Sequence, residues 1–247
     1  MSKPKLAFFD FAGCEGCQIE FTNLGDEVIL GLLEHVDIVE FREAMTETTT
    51  ERIDIALVEG SFTMEKDRER LRDIRNRSRI VIAYGACACT GGINALRNHQ
   101  DDYHECVYGP DARMPHLQSG PALPISAAIK VDYYAHGCPA SKDELVRILS
   151  ALLHNDRPLI PSYPVCVECK RNGTVCRFDE GDYCMGMVAR AGCGAPCPAL
   201  GIPCEACRGF VDEPNLRSLE TVLMERAGFS QERAIGKSRM FTANLRS

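Results

Sequence analysis

Between Cys166 and Cys207 the chain places eight cysteines, spaced Cys166-x-x-Cys169, Cys176, Cys184, Cys193-x-x-x-Cys197 and Cys204-x-x-Cys207. This reads as two sets of four thiolates. Such sets suit a tetrahedral zinc or a cubane iron–sulfur cluster, because a Cys-x-x-Cys turn lets two sulfurs converge on one centre. A disulfide framework is the competing chemistry. It is disfavoured because the chain opens Met-Ser-Lys-Pro-Lys-Leu and moves straight into an apolar strand, with no signal peptide to carry it to an oxidising compartment. The run contains few large apolar side chains, so burial of apolar surface is not expected to hold it together.

More cysteines follow apolar runs of strand length. Lys5–Phe11 is an apolar run ending at Ala12-Gly13, which suits a buried strand feeding a tight turn that delivers Cys14-Glu15-Gly16-Cys17. Ile80–Tyr84 stops at Gly85-Ala86-Cys87-Ala88-Cys89, and Val131–Ala135 ends in His136-Gly137-Cys138-Pro139. Between them, Gln18–Leu33 carries a helical recurrence of apolar residues, Val36–Phe41 and Ile53–Glu59 read as strands, and Glu65–Arg77 reads as a charged helix. Asp143–Leu153 reads as the next helix, with Ser141 as N-cap and Glu144 completing a capping box. Strands alternating with helices imply a parallel, doubly wound α/β sheet, in which ligands gather at the carboxyl ends of the strands. Cys14, Cys17, Cys87 and Cys138 would then supply four thiolates from three strand ends. Core packing is the ordinary fate of any one free cysteine, but four flanked by glycine leave bare backbone for a bulky cofactor.

The remaining segments are less regular. Residues 100–124 are an irregular, Pro- and Gly-containing excursion that carries Cys106, and Leu159–Pro164 reads as an extended linker. A short amphipathic helix is expected within Leu216–Arg226, followed by a polar, basic end. Two units result: residues 1–160 form the α/β domain and 161–247 a small, irregular cysteine-rich module.

Composition excludes several classes. With 45% hydrophobic and 26% charged residues the chain is an ordinary globular protein, and its longest apolar runs fall far short of the ~20 residues of a membrane span. A net charge of −7, no Trp and 7% aromatics argue against a nucleic-acid partner, which calls for clustered cations and stacking platforms.

The motifs Cys14-Glu15-Gly16-Cys17, Gly85-Ala86-Cys87-Ala88 with Gly91-Gly92, Gly137-Cys138-Pro139 and the eight-cysteine run resemble those of the small, electron-transferring subunit of nickel–iron hydrogenases over nearly the whole chain. The resemblance implies a flavodoxin-like domain followed by an iron–sulfur module. It implies a proximal 4Fe-4S cluster on Cys14, Cys17, Cys87 and Cys138, and a distal one on Cys166, Cys169, Cys176 and Cys184. A medial 4Fe-4S cluster would lie on Cys193, Cys197, Cys204 and Cys207, with Cys197 as a fourth ligand where relatives with a 3Fe-4S centre have Pro. Cys89 and Cys106 remain as non-ligands. Gly16 and Gly92 stand where oxygen-tolerant relatives carry extra cysteines, so an ordinary proximal cubane is implied.

The implied partners are a nickel–iron large subunit, which holds the hydrogen-splitting centre, and diaphorase-like subunits bearing flavin and iron–sulfur clusters. No membrane partner is implied. Phe8–Cys17 and Glu59–Gly92 look most like the cytoplasmic NAD(P)-linked, sulfhydrogenase type. The type coupled to heterodisulfide reductase is the alternative. Readings from other classes are a zinc-stabilised, non-redox interaction module and a flavodoxin-like FMN carrier. The first loop disfavours the FMN carrier, because it offers cysteines rather than a Ser/Thr-rich phosphate turn. Glu15 reads either as a solvated turn residue or as a group facing the large subunit or a proton path.

Overall fold

A computed structural model describes residues 2–111 and 119–245. Its first half is a parallel sheet of β1 (Lys5–Asp10), β2 (Asp37–Phe41), β3 (Ile53–Glu59), β4 (Ser78–Tyr84) and β5 (Tyr133–Ala135), ordered β2-β1-β3-β4-β5. This is the doubly wound, flavodoxin-like order, whose switch point lies between β1 and β3. Its helices are α1 (Gly16–Thr22), α2 (Asp26–Leu33), α3 (Asp67–Arg77), α4 (Gly85–Thr90), α5 (Tyr103–Tyr108) and α6 (Lys142–Leu153).

The period-2 alternation of the strands divides the core. Leu6, Phe8, Ile55, Leu57, Ile82 and Tyr84 face Phe21 of α1 and Leu145, Ile148, Leu149 and Leu152 of α6. Ala7, Phe9, Ala56, Val58, Val81 and Ala83 face Leu71 and Ile74 of α3. Both faces are covered, which is why the strands read as continuous apolar runs.

Two local expectations need correction. The helix expected over Gln18–Leu33 is two helices, divided at Gly25, whose φ of 89° the α-helix cannot accommodate. The capping box is only half formed. Ser141 Oγ accepts from Glu144 N at 3.4 Å, but the Glu144 side chain turns instead to a buried ion pair with Arg208 at 2.7 Å. The excursion over 100–124 contains α5, and its residues 112–118 lie outside those described.

Beyond residue 160 come α7 (Val165–Arg171), the short α8 (Pro196–Ala199), α9 (Leu216–Ala227) and α10 (Gln231–Arg239). This region does have an apolar core, contrary to expectation. Phe178, Met185 and Val188 from the cysteine run pack with Leu219 and Leu223 of α9, and with Phe229 and Ala234. The run borrows its apolar support from helices downstream of it. The polar, basic end forms α10 and then returns to the sheet domain, where Thr90 Oγ1 donates to Phe241 O (2.8 Å) and Asn244 Nδ2 to Thr90 O (2.9 Å).

Candidate iron–sulfur sites

The last rung of the sheet at its carboxyl edge runs Asp10, Glu59, Tyr84, Ala135. Cys14, Cys87 and Cys138 follow β1, β4 and β5 within a few residues of it. Cys17 enters on α1, which starts at the first of these loops. The four thiols share one electrostatic neighbourhood: Cys138 raises the pKa of both Cys17 and Cys87, and Cys14 raises that of Cys87 and Cys138. In each case burial is the larger cause, and it pushes Cys87 up to about 12. Apolar walls of this kind keep a lone thiol protonated. The thiolate needs the positive charge of a metal centre to form there.

Bare backbone surrounds these sulfurs. A β-carbon at Gly85, where φ is +87°, would overlap Cys17 Sγ, and one at Gly92 would stand 2.9 Å from Cys87 Sγ. At Gly16 it would approach Cys14 Sγ to 3.3 Å. The positions singled out in the sequence as lacking extra cysteines do therefore border the proximal thiols.

Sequence reasoning passed over Glu59 except as the end of a strand. It is 4% exposed, and its carboxylate accepts from Cys17 N and Gln18 N, both at 3.0 Å. It therefore caps α1 from another strand, while Glu15, the residue at the N-cap position, makes no side-chain cap. A carboxylate closing the apolar run Ile55–Val58 was the signal available. Burial raises its pKa, opposed by the two N–H bonds. Glu15 instead lies beside Glu43, whose hydrogen bond raises the Glu15 pKa.

The eight later cysteines divide between two cavities. Cys166, Cys169, Cys176 and Cys184 line one of about 340 Å³, with Phe178, Met187 and Val222 among its walls. Cys193, Cys197, Cys204 and Cys207 line another of about 200 Å³, which also reaches Cys138. Burial pushes Cys166 and Cys207 up to about 11. Backbone N–H groups aim at several sulfurs: Ala140 N to Cys17 Sγ at 3.4 Å, Gly186 N to Cys184 Sγ at 3.5 Å, and Ala195 N to Cys193. Ala195 and Ala206 hold left-handed backbone (φ 53° and 55°) in the loops of the second cavity. That is a strained state for alanine, held here by the surrounding structure.

The groups adjoin one another. Cys138 lines the same cavity as Cys207, and Cys204 N donates to Cys184 Sγ at 3.4 Å. The three groups of thiols therefore form one contiguous row. The donor set of soft thiols, amide N–H groups aimed at sulfur, and glycine-bared walls fits iron–sulfur clusters. Cys89 and Cys106 stand apart. Cys89 is a buried residue of α4 with Sγ 3.5 Å from Ala83 O, and Cys106 of α5 has Sγ 3.4 Å from Asp102 Oδ2.

Arg208 is the other residue that sequence reasoning missed. It is 2% exposed, and its guanidinium donates to Ala191 O (2.8 Å), His136 O (2.6 Å) and Glu144 Oε1 (2.7 Å). It thereby joins the cysteine-rich region to the β5–α6 loop.

Fold and site together define a flavodoxin-like α/β domain that gathers thiols at its sheet edge and continues them through a cysteine-rich module. Residues 14–152 match the family described as NADH ubiquinone oxidoreductase, 20 Kd subunit. The chain is 36% identical to the sulfhydrogenase 2 subunit delta of Pyrococcus furiosus over 222 residues, covering 90% of this chain and 92% of the relative. It is 34% identical to a subunit of the vhu F420-non-reducing hydrogenase of Methanocaldococcus jannaschii, covering 85% of this chain and 83% of the relative. Among solved structures it resembles a chain of an NAD+-reducing [NiFe]-hydrogenase in the H2-reduced state, with TM-score 0.58 and 31% identity, covering 64% of this chain and 96% of that one. The chain belongs to the NADH ubiquinone oxidoreductase 20 Kd subunit family and, within it, to the small subunits of nickel–iron hydrogenases. Among the described residues, no helix is long and apolar enough to cross a membrane.

Proposed function

We propose that the chain is the electron relay of a cytoplasmic nickel–iron hydrogenase, holding three 4Fe-4S clusters between the large subunit and flavin- and iron–sulfur-bearing diaphorase-like subunits. Cys14, Cys17, Cys87 and Cys138 hold the proximal cluster. Cys193, Cys197, Cys204 and Cys207 hold the medial one, and Cys166, Cys169, Cys176 and Cys184 the distal one. The observation that carries this reading is the contiguous row, in which Cys138 shares a cavity with Cys193, Cys197, Cys204 and Cys207, and Cys204 N meets Cys184 Sγ. When bound, the clusters supply one-electron redox chemistry.

The chain's own residues supply position and environment. Glycines at 85 and 92 bare the backbone beside Cys17 and Cys87, and Glu59 fixes the start of α1. Amide donors to sulfur, as at Cys17 and Cys184, favour the reduced, more negative cluster. Burial withdraws Cys17 and Cys204 from water, while Cys14, Cys138, Cys176 and Cys197 stay exposed on this chain. No side chain needs to move a proton for this task.

Coupling to heterodisulfide reductase is the second reading. It draws on the likeness to the F420-non-reducing hydrogenase, whose name sets its acceptor apart from F420. Anaerobic purification of the native complex separates the readings by the subunits that come with the chain. A brown complex that bleaches under hydrogen and contains flavin-bearing diaphorase subunits is expected. A colourless, zinc-containing preparation would contradict the relay.

A further inference from the structure

We propose that Arg208, held by Glu144, is a positioning residue that sets the reduction potential of the medial cluster. The inference rests on the relay reading above, because it presumes a cluster on Cys193, Cys197, Cys204 and Cys207.

Among the described residues, Arg208 is the one Arg or Lys that is buried. It follows Cys207 directly in the chain. Its Nε donates to Arg190 O (3.1 Å) and Ala191 O (2.8 Å), just before Cys193, and its Nη1 donates to His136 O (2.6 Å), just before Cys138. Its Nη2 meets Glu144 Oε1 at 2.7 Å, and Glu144 is 1% exposed. A β-carbon at Gly192 would overlap both Nη2 of Arg208 and Oε1 of Glu144. The pair is therefore seated against the bare backbone that leads into Cys193. Three contacts thus bind one planar cation to loops that carry thiols of two adjacent groups, and the fourth ties it to α6.

An ion pair in this position is an expensive way to fasten two loops, since apolar residues of similar volume usually do as well or better. What apolar residues cannot supply is a fixed charge in a water-poor setting, where a charge acts over longer range than in solvent. A positive charge beside a cluster favours its reduced form, and the neighbouring carboxylate opposes this. The two members should therefore act with opposite signs.

The test is an anaerobic redox titration of the intact complex, following each cluster by electron paramagnetic resonance, with iron content measured on every sample. Arg208→Met should shift the medial reduction equilibrium roughly tenfold toward the oxidised form, about 59 mV lower for a one-electron couple. Glu144→Gln should shift it the other way by a similar factor. Arg208→Lys, which keeps the charge and loses the fork, should stay within about threefold of wild type. A purely structural clamp predicts shifts of the same sign in both neutralising variants and no rescue by Lys, and that pattern overturns the proposal. If Arg208→Met fails to retain iron, the Glu144→Gln and Arg208→Lys results decide, and an unshifted Glu144→Gln refutes it. A wild-type complex lacking a medial cluster signal would instead bring down the relay reading itself.

Discussion

At the carboxyl edge of the sheet, Cys14, Cys87 and Cys138 follow strands whose backbone is locked by parallel pairing and whose side chains fill two apolar layers. From Val165 to Phe210 the thiols sit instead on short helices and irregular loops, stitched by single bridges such as Pro164 to Arg190 and Ala189 to Phe210. The first region positions its sulfurs by a frame that exists without any cofactor. The second leans on α9 and α10 and on amide groups aimed at sulfur, so its geometry depends more on what the thiols bind. A perturbation of the first region should act through backbone space and buried hydrogen bonds. In the second it should act through cluster composition.

The largest effect is expected from Gly85→Ala. The new β-carbon would collide with Cys17 Sγ at a φ of +87° that alanine resists, where β4 passes directly into α4. Iron in the purified complex should fall by about four per copy of this chain, one cubane's worth. Unchanged iron would show that the proximal frame is softer than this comparison holds.

Glu59→Ala comes next. It strands two buried N–H groups, Cys17 N and Gln18 N, each worth about 1–3 kcal/mol when left unpaired. Thermal unfolding of the complex should register a loss of about 2–6 kcal/mol. A loss below about 0.5 kcal/mol would mean that water replaces the carboxylate.

In the second region, Cys197→Pro should leave the fold in place, because Pro196 and Pro198 already occupy α8. It should convert the medial centre to a 3Fe-4S cluster of higher potential, since a thiolate's negative charge is lost. A three-iron signal already present in undamaged wild type would defeat that assignment. The smallest effects are reserved for Cys89→Ala and Cys106→Ala, which should leave iron content unchanged. Loss of a cluster in either would redraw the thiol groups.

The two regions were unequally legible in the sequence. Apolar runs that stop at glycine gave away β1, β4 and the cysteines beyond them, because a buried parallel strand has a strong one-dimensional pattern. Gly25 was the visible warning that residues 18–33 form two helices, but the apolar recurrence ran across it. Glu144 matched a capping box by spacing, and only three-dimensional proximity to Arg208, 64 residues away, shows where its carboxylate goes. Helix α10 was hidden by polar composition, and the docking of Phe241 and Asn244 on Thr90 is a long-range contact that no local pattern encodes. The grouping of the late cysteines came from resemblance, since their spacing alone does not say which thiols share a centre.

The central claim is that the thiol row holds three cubanes, and it is tested most directly by metal analysis of the anaerobically purified complex. With partner-subunit metal subtracted, the account predicts about twelve irons and no zinc per copy of this chain. A count near four, or zinc in place of iron in the cysteine-rich region, would contradict it.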